Sequence, residues 1–321
     1  MIAWLQRTLV LLTLAATLAW LWWLWPERPL MALLGLVFGL GGLAWVLALE
    51  FALVGWAWRR GVGGALPPSD QRYAPGAITL LRAWWLEVGC ALRVFAWWQP
   101  FRARALPDSV PSGHTGMPGV VLVHGYLCNR GFWTAWMQAL RARGIPYVAV
   151  TLEPPFAGIE SHVMAVEEAV QRLRATTGQA PWLVGHSMGG LVVRAWWRSA
   201  REARSPGQSS PDLATVGRVV TLGSPHHGTW MARFSNTDSG RQMQQNSPWL
   251  QALAASEGPA ERARMECWHT PCDNIVYPWG TAVLPGAEER VVPGVGHVGL
   301  AFHPEVLQSV LGRLTPGHRQ D

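Results

Sequence analysis

A chain of 321 residues, half of them apolar, can build one large domain with a full core and an appendage, but not two domains of equal size. Its net charge of +6 comes from 26 basic residues, all arginine and scattered rather than clustered, so nucleic-acid binding is not expected. The four cysteines, Cys90, Cys128, Cys267 and Cys272, are too few for a disulfide framework; only Cys267 and Cys272 stand close enough to raise the question of a bridge, and free buried thiols are expected.

The first sixty residues differ in kind from the rest. Residues 8–25 are an unbroken apolar and uncharged run, "PERP" follows, and 30–58 is a second run interrupted only by Glu50. A helix needs roughly 20 such residues to cross the hydrocarbon layer. Trp20, Trp22, Trp23 and Trp25 cluster beside the turn and Trp56 and Trp58 at the far end, where aromatic belts meet headgroups. Residues 1–60 therefore read as a transmembrane hairpin. The competing reading, a cleaved signal peptide, lacks a small-x-small cleavage site before "WPERP". Arg7 precedes the first helix and Arg59, Arg60 and Arg72 follow the second, whereas the turn carries only Arg28 beside Glu27. Positive-inside counting places the hairpin in the inner membrane with the following domain facing the cytoplasm; a single span would place that domain outside. Glu50, near the inner end of its helix, is expected to be structural.

Residues 61–117 form the next region. A Gly- and Pro-rich linker, 61–76, leads into "AITLLRAWWLEVGCALRVFAWWQPFRAR", which Arg82, Glu87 and Arg93 interrupt too often for a comfortable span. It reads either as an amphipathic helix on the membrane surface or as a helix packed on the following domain. A second loop, 107–119, follows.

Residues 118–321 change pattern. Short β-branched runs, "GVVLVHG", "PYVAVTL", "WLVGHS", "VGRVVTLGSP", "RARMECWHT" and "EERVVPG", alternate with helical stretches and end in "HPEVLQSVLGRL". That alternation predicts an α/β fold with a doubly wound, mostly parallel sheet, whose ligands sit beyond the carboxyl ends of the strands. One connection, 229–261, is unusually long and stands where a lid over the site would be, with Trp230, Met231, Phe234, Trp249 and Leu250 as an apolar wall; the other reading is an excursion packed on the sheet edge.

"WLVGHSMGG" places Ser187 at a strand-to-helix junction, with Gly185 and Gly189 permitting the sharp turn that exposes its hydroxyl. A serine needs a base to remove its proton and a carboxylate to orient that base. Among the later histidines, His297 lies in the glycine-flanked "GVGHVGL" just after the last strand, whereas His226 and His227 come too early and His318 is in the tail. Asp273 in "HTPCDNIVYP" follows the penultimate strand; Asp212 and Asp238 lie in polar loops. The oxyanion of a tetrahedral intermediate needs two backbone donors, for which Met188, after the serine, and Tyr126, in "HGYLCN", are the candidates. His124 is expected to brace that loop and Cys128 to pack.

Together "VVLVHGYLCN", "LVGHSMGGLVVR", "VVTLGSPHHGT", "CDNIVYP" and "VPGVGHVGL" resemble the α/β-hydrolase superfamily, more narrowly the bacterial triacylglycerol lipases and related esterases. The resemblance covers about 180 residues, 119–300. It implies a Ser187, Asp273, His297 triad in that family's chain order, Tyr126 and Met188 as oxyanion amides, and structural roles for His226 and His227. It implies no cofactor, and no spacing suggests a metal site. The amino-terminal third has no counterpart in the usual secreted lipases. The expected activity is carboxylic ester hydrolysis at a membrane, on an ester or lipid substrate; acyl transfer or thioester hydrolysis would use the same triad, and a non-catalytic scaffold is the remaining class.

Overall fold

The computed structural model describes residues 1–62, 73–110, 116–202 and 216–314. Most of the expected linker, the centre of the loop at 107–119, Asp212 and His318 lie outside these residues.

Two long apolar helices open the chain: α1 (Ile2–Leu24) and α2 (Pro29–Arg60), both long and apolar enough to cross a membrane. Pro29 starts α2 where a missing amide costs nothing, and Gly61 in the left-handed region ends it after Arg59 and Arg60. At the turn, Trp20 donates its indole N–H to the Met31 carbonyl at 3.1 Å. Helix α3 (Ala77–Ala91) continues through a π-helical stretch, Leu92–Trp98, to a last turn at Gln99–Arg102.

Helix α3 packs on the following domain along one stripe. Ala83, Glu87, Ala91 and Val94, spaced by three and four, are buried against the following domain, while Ile78, Leu81, Trp85, Leu86, Leu92 and Trp97 are exposed. One stripe is small and docks; the other is large, apolar and uncovered by protein.

The sheet follows. Strands β1 (Val120–Val123), β2 (Tyr147–Ala149), β3 (Trp182–His186), β4 (Val219–Leu222), β5 (Met265–His269) and β6 (Glu288–Val291) pair in the order β2-β1-β3-β4-β5-β6, every pair parallel. Strand alternation sorts side chains between two layers. Val121, Val123 and Leu183 face α5 (Val163–Thr177) and α6 (Met188–Glu202); Val120, Leu122 and Val184 face α4 (Thr134–Ala142) and α9 (Pro304–Leu314). Both faces of the central strands are covered, so β1, β3 and β4 read as nearly continuous apolar runs. The order reverses about β1, which places a crevice at the carboxyl ends of β1 and β3.

The long connection at 229–261 folds into a 3-10 turn, Trp230–Phe234, then α7 (Asp238–Gln242) and α8 (Pro248–Ala255), the latter capped by the Ser247 hydroxyl. Leu250 and Leu253 join the core layer of α6, and Arg194 of α6 makes a two-pronged bond to Glu257, Nε–Oε1 2.6 Å and Nη2–Oε2 2.9 Å, with both side chains buried. This segment is packed down as part of the domain.

Candidate active site

β3 ends at His186 and α6 starts at Met188, so Ser187 alone makes the turn, at φ +55°. That left-handed conformation is strained for a residue with a Cβ and persists only where the surroundings enforce it. The enforcement is steric: a Cβ at Gly185 would lie 2.6 Å from the Gly190 nitrogen, and one at Gly189 would overlap the Val123 carbonyl. The Ser187 amide donates to the Leu222 carbonyl at 2.9 Å, tying the turn to β4.

Ser187 and His297 line one cavity of about 490 Å³. His297 opens a short helical turn beyond β6, and its Nδ1 donates to Asp273 Oδ2 at 2.9 Å, which leaves Nε2 as the basic nitrogen. Asp273 is itself held: its Oδ1 accepts from the amides of Ile275 at 2.9 Å and Val276 at 2.7 Å. Burial works to lower the pKa of His297, but the charge and hydrogen bond of Asp273, with help from Glu87 and Glu50, outweigh it and raise the pKa. Tyr126 lines the same cavity, and Met188 supplies the first amide of α6, among the four that no intrahelical carbonyl satisfies.

Three other buried histidines are held by hydrogen bonds. The Leu152 amide donates to His124 Nε2 at 3.0 Å, so His124 Nδ1 donates to the Gly125 carbonyl at 2.8 Å, and burial lowers the His124 pKa to about 4. It braces the loop, neutral. His186 donates from Nε2 to the His297 carbonyl at 3.1 Å, and His226 bonds Thr221 at 3.0 Å within the core. All four cysteines are free, and burial pushes their thiols up to about 11 or 12, so Cys128, beside the cavity, is no thiolate. Among the described residues no cluster of three His, Cys, Asp or Glu could hold a metal ion.

A model of the alpha/beta hydrolase family matches residues 120–308, well over half of the chain. This chain belongs to the alpha/beta hydrolase family. No curated protein matches it in sequence. Among solved structures it is similar to the mature lipase BlEst2 of Bacillus licheniformis, with a TM-score of 0.52 and 17% identity over 65% of this chain and 96% of that one. It is also similar to lipase B of Aspergillus fumigatus, with a TM-score of 0.50 and 17% identity over 66% of this chain and 57% of that one. At such identities the likeness concerns the fold of the hydrolase domain.

Around that hydrolase site, four residues escaped the sequence reading. Glu87 of α3, fully buried, accepts from the amides of Val298 at 2.7 Å and Gly299 at 2.8 Å, the two residues after His297. Burial pushes its carboxyl up to about 7, against the pull of those two amides and of His297. Asn274 accepts the His297 amide at 3.0 Å and donates to Glu50 of α2 at 2.6 Å. Thus Glu87 holds the loop that carries His297, and Glu50 reaches the loop that carries Asp273 through Asn274. Gly223, at φ +57°, is the fourth: a Cβ there would press to 3.0 Å from Asp273 Oδ2 and 3.1 Å from His297 Nδ1. The lining of the cavity is the larger surprise. It comes from Ile2, Leu5, Leu9 and Val10 of α1, Leu43, Val46 and Leu47 of α2, and Ala91 and Phe95 beyond Glu87; no residue between 229 and 261 lines it.

Proposed function

We propose that the protein is a membrane-anchored serine hydrolase that cleaves carboxylic esters through an acyl-enzyme. The observation that carries this reading is the strained Ser187 turn sharing one cavity with a histidine whose far nitrogen is held by a buried carboxylate. His297 Nε2 removes the Ser187 proton as Oγ bonds to the ester carbonyl carbon. The Tyr126 and Met188 amides receive the oxyanion, in the field of the α6 amino terminus. Collapse expels the alkoxide, which takes its proton from the His297 imidazolium; water then repeats the sequence on the acyl-enzyme and releases the acid. Both structural neighbours are called lipases, which favours an ester over other acyl compounds.

In this reading α1 and α2 span the inner membrane, and the arginines flanking the hairpin keep the hydrolase domain in the cytoplasm. The test is turnover of a p-nitrophenyl ester by the full chain in detergent. Ser187→Ala is expected to lower kcat by about 10⁴-fold or more. Undiminished turnover by the variant would defeat the assignment.

A further inference from the structure

The site of an ordinary soluble hydrolase opens to water. Here the space above Ser187 rises between helices that the sequence assigns to the membrane. Its depth in the bilayer follows from helix length. A hydrocarbon core of about 30 Å takes about 20 residues at 1.5 Å each. The apolar run of α1 begins at Thr8, just after Arg7, and that of α2 is interrupted at Glu50, which places the near edge of the hydrocarbon at about Thr8 and Glu50. Leu9, Val10, Leu43, Val46 and Leu47, which line the cavity, then lie inside the near leaflet, Leu43 about 10 Å deep.

The packing of the hairpin gives the cavity its shape. In the far half Trp20 and Thr17 of α1 sit directly on Gly35 and Gly39 of α2. In the near half Leu9, Val10, Leu43, Val46 and Leu47 line an open space instead. Leu9 and Val46 both line the cavity, yet each is 56 % exposed, so its mouth lies beside them and faces sideways. A mouth at that level is bathed in acyl chains. The floor of the cavity holds Ser187, His297, Glu50 and Glu87, and no arginine contributes to the lining.

We propose that a bilayer-resident acyl ester enters this cavity sideways from the near leaflet, past Leu9 and Val46. Its acyl chain lies between α1 and α2 while its carbonyl meets Ser187. This rests on the reading of Ser187 as nucleophile and of the hairpin as membrane-spanning. The chain never crosses water, so the desolvation of the site is supplied by the bilayer itself. The carboxylates on the floor and the absence of arginine from the lining select an uncharged head group over an acidic one. The volume suits one chain: enclosed ligand sites run from roughly 300 to 1,000 Å³.

The experiment uses full-length Ser187→Ala protein in phosphatidylcholine vesicles carrying a diazirine-tagged diacylglycerol, with cross-linked peptides identified by mass spectrometry. Adducts are expected on 2–10 and 43–50, and to fall at least tenfold in Leu47→Trp or, should that variant not fold, in Leu9→Trp. Adducts confined to the outward residues of the hairpin, such as Leu11, Leu18 and Phe38, or undiminished in the tryptophan variants, would overturn the proposal. Replacing the probe by a tagged phosphatidylglycerol is expected to weaken cavity labelling; equal labelling would overturn the head-group preference. Because the readout needs no turnover, cavity labelling alongside ester hydrolysis that survives Ser187→Ala would remove the catalytic assignment and leave lateral entry standing.

Discussion

Replacing Glu87 by glutamine separates what this buried acid does for the fold from what it does for the site. With a folded-state pKa of about 7 against an ordinary 4.5, Glu87 binds its proton more tightly in the folded chain than in the unfolded one. Its contribution to stability is therefore fully present below pH 4.5 and is lost as pH rises to about 7, a loss of about 3 kcal/mol at 1.36 kcal/mol per unit. Glutamine cannot titrate. It keeps one carbonyl for Val298 or Gly299 and turns an NH₂ toward the other amide, giving up one bond to a charged acceptor worth about 1.5–3 kcal/mol. Near pH 8 the two effects offset, so the variant and the native protein should unfold within a few degrees of each other. Between pH 5 and 7 they should diverge in slope: the native Tm falls by roughly 5–10 °C more than that of the variant. Catalysis responds separately. Loss of a nearby anion lowers the pKa of His297, and a base works only when neutral, so the acid limb of kcat/KM moves to lower pH. Thermal unfolding in detergent and a pH profile with a soluble ester give both readings. Parallel Tm curves with an unmoved acid limb would refute the placement of Glu87 beneath His297.

Three further outcomes follow from the same geometry. Asp273→Asn releases the proton on His297 Nδ1 from its acceptor and should lower kcat by about 10⁴-fold with KM little changed; a loss under tenfold in steady-state assays would show another acid in that role. Gly223→Ala forces a Cβ into contact with Asp273 and His297 at a backbone angle that favours glycine, and should reduce both Tm and kcat; calorimetry and turnover unchanged from native would contradict it. Arg194→Ala leaves the buried Glu257 with only the longer pairing to Arg262 at 3.8 Å and should cost roughly 2–4 kcal/mol in denaturant unfolding. A cost near zero would mean that the 229–261 segment is loosely held and free to act as a lid.

Local patterns carried the hydrolase domain. β-branched runs of four or five residues separated by helical stretches announce a parallel sheet, and "GHSMGG" announces its sharpest turn because glycine is compulsory on either side of Ser187. The loops after the last two strands, where the sequence put Asp273 and His297, bring these two side chains into contact. The amino-terminal third was legible only as long apolar helices. What those helices touch is set by contacts more than two hundred residues apart in sequence, Glu87 with Val298 and Glu50 with Asn274, and no periodicity encodes the partner. A signal was available for Glu87: it stands between Ala83 and Ala91 on the small-residue stripe of an otherwise bulky helix, which marks a docking face. The connection at 229–261 left two readings open because its length alone does not say where it packs. Its apolar residues, Leu250 and Leu253 among them, serve the layer beside α6, and the cover over the cavity comes from α1, α2 and α3.

The central claim, that Ser187 is a nucleophile activated by His297 in a cavity between membrane helices, is tested most directly by a fluorophosphonate with the intact protein in vesicles. The predicted result is one phosphonyl group per chain, on the peptide that contains Ser187, lost in Ser187→Ala and slowed sharply in His297→Ala. A label on any other residue, or equal labelling of the Ser187→Ala protein, would contradict it.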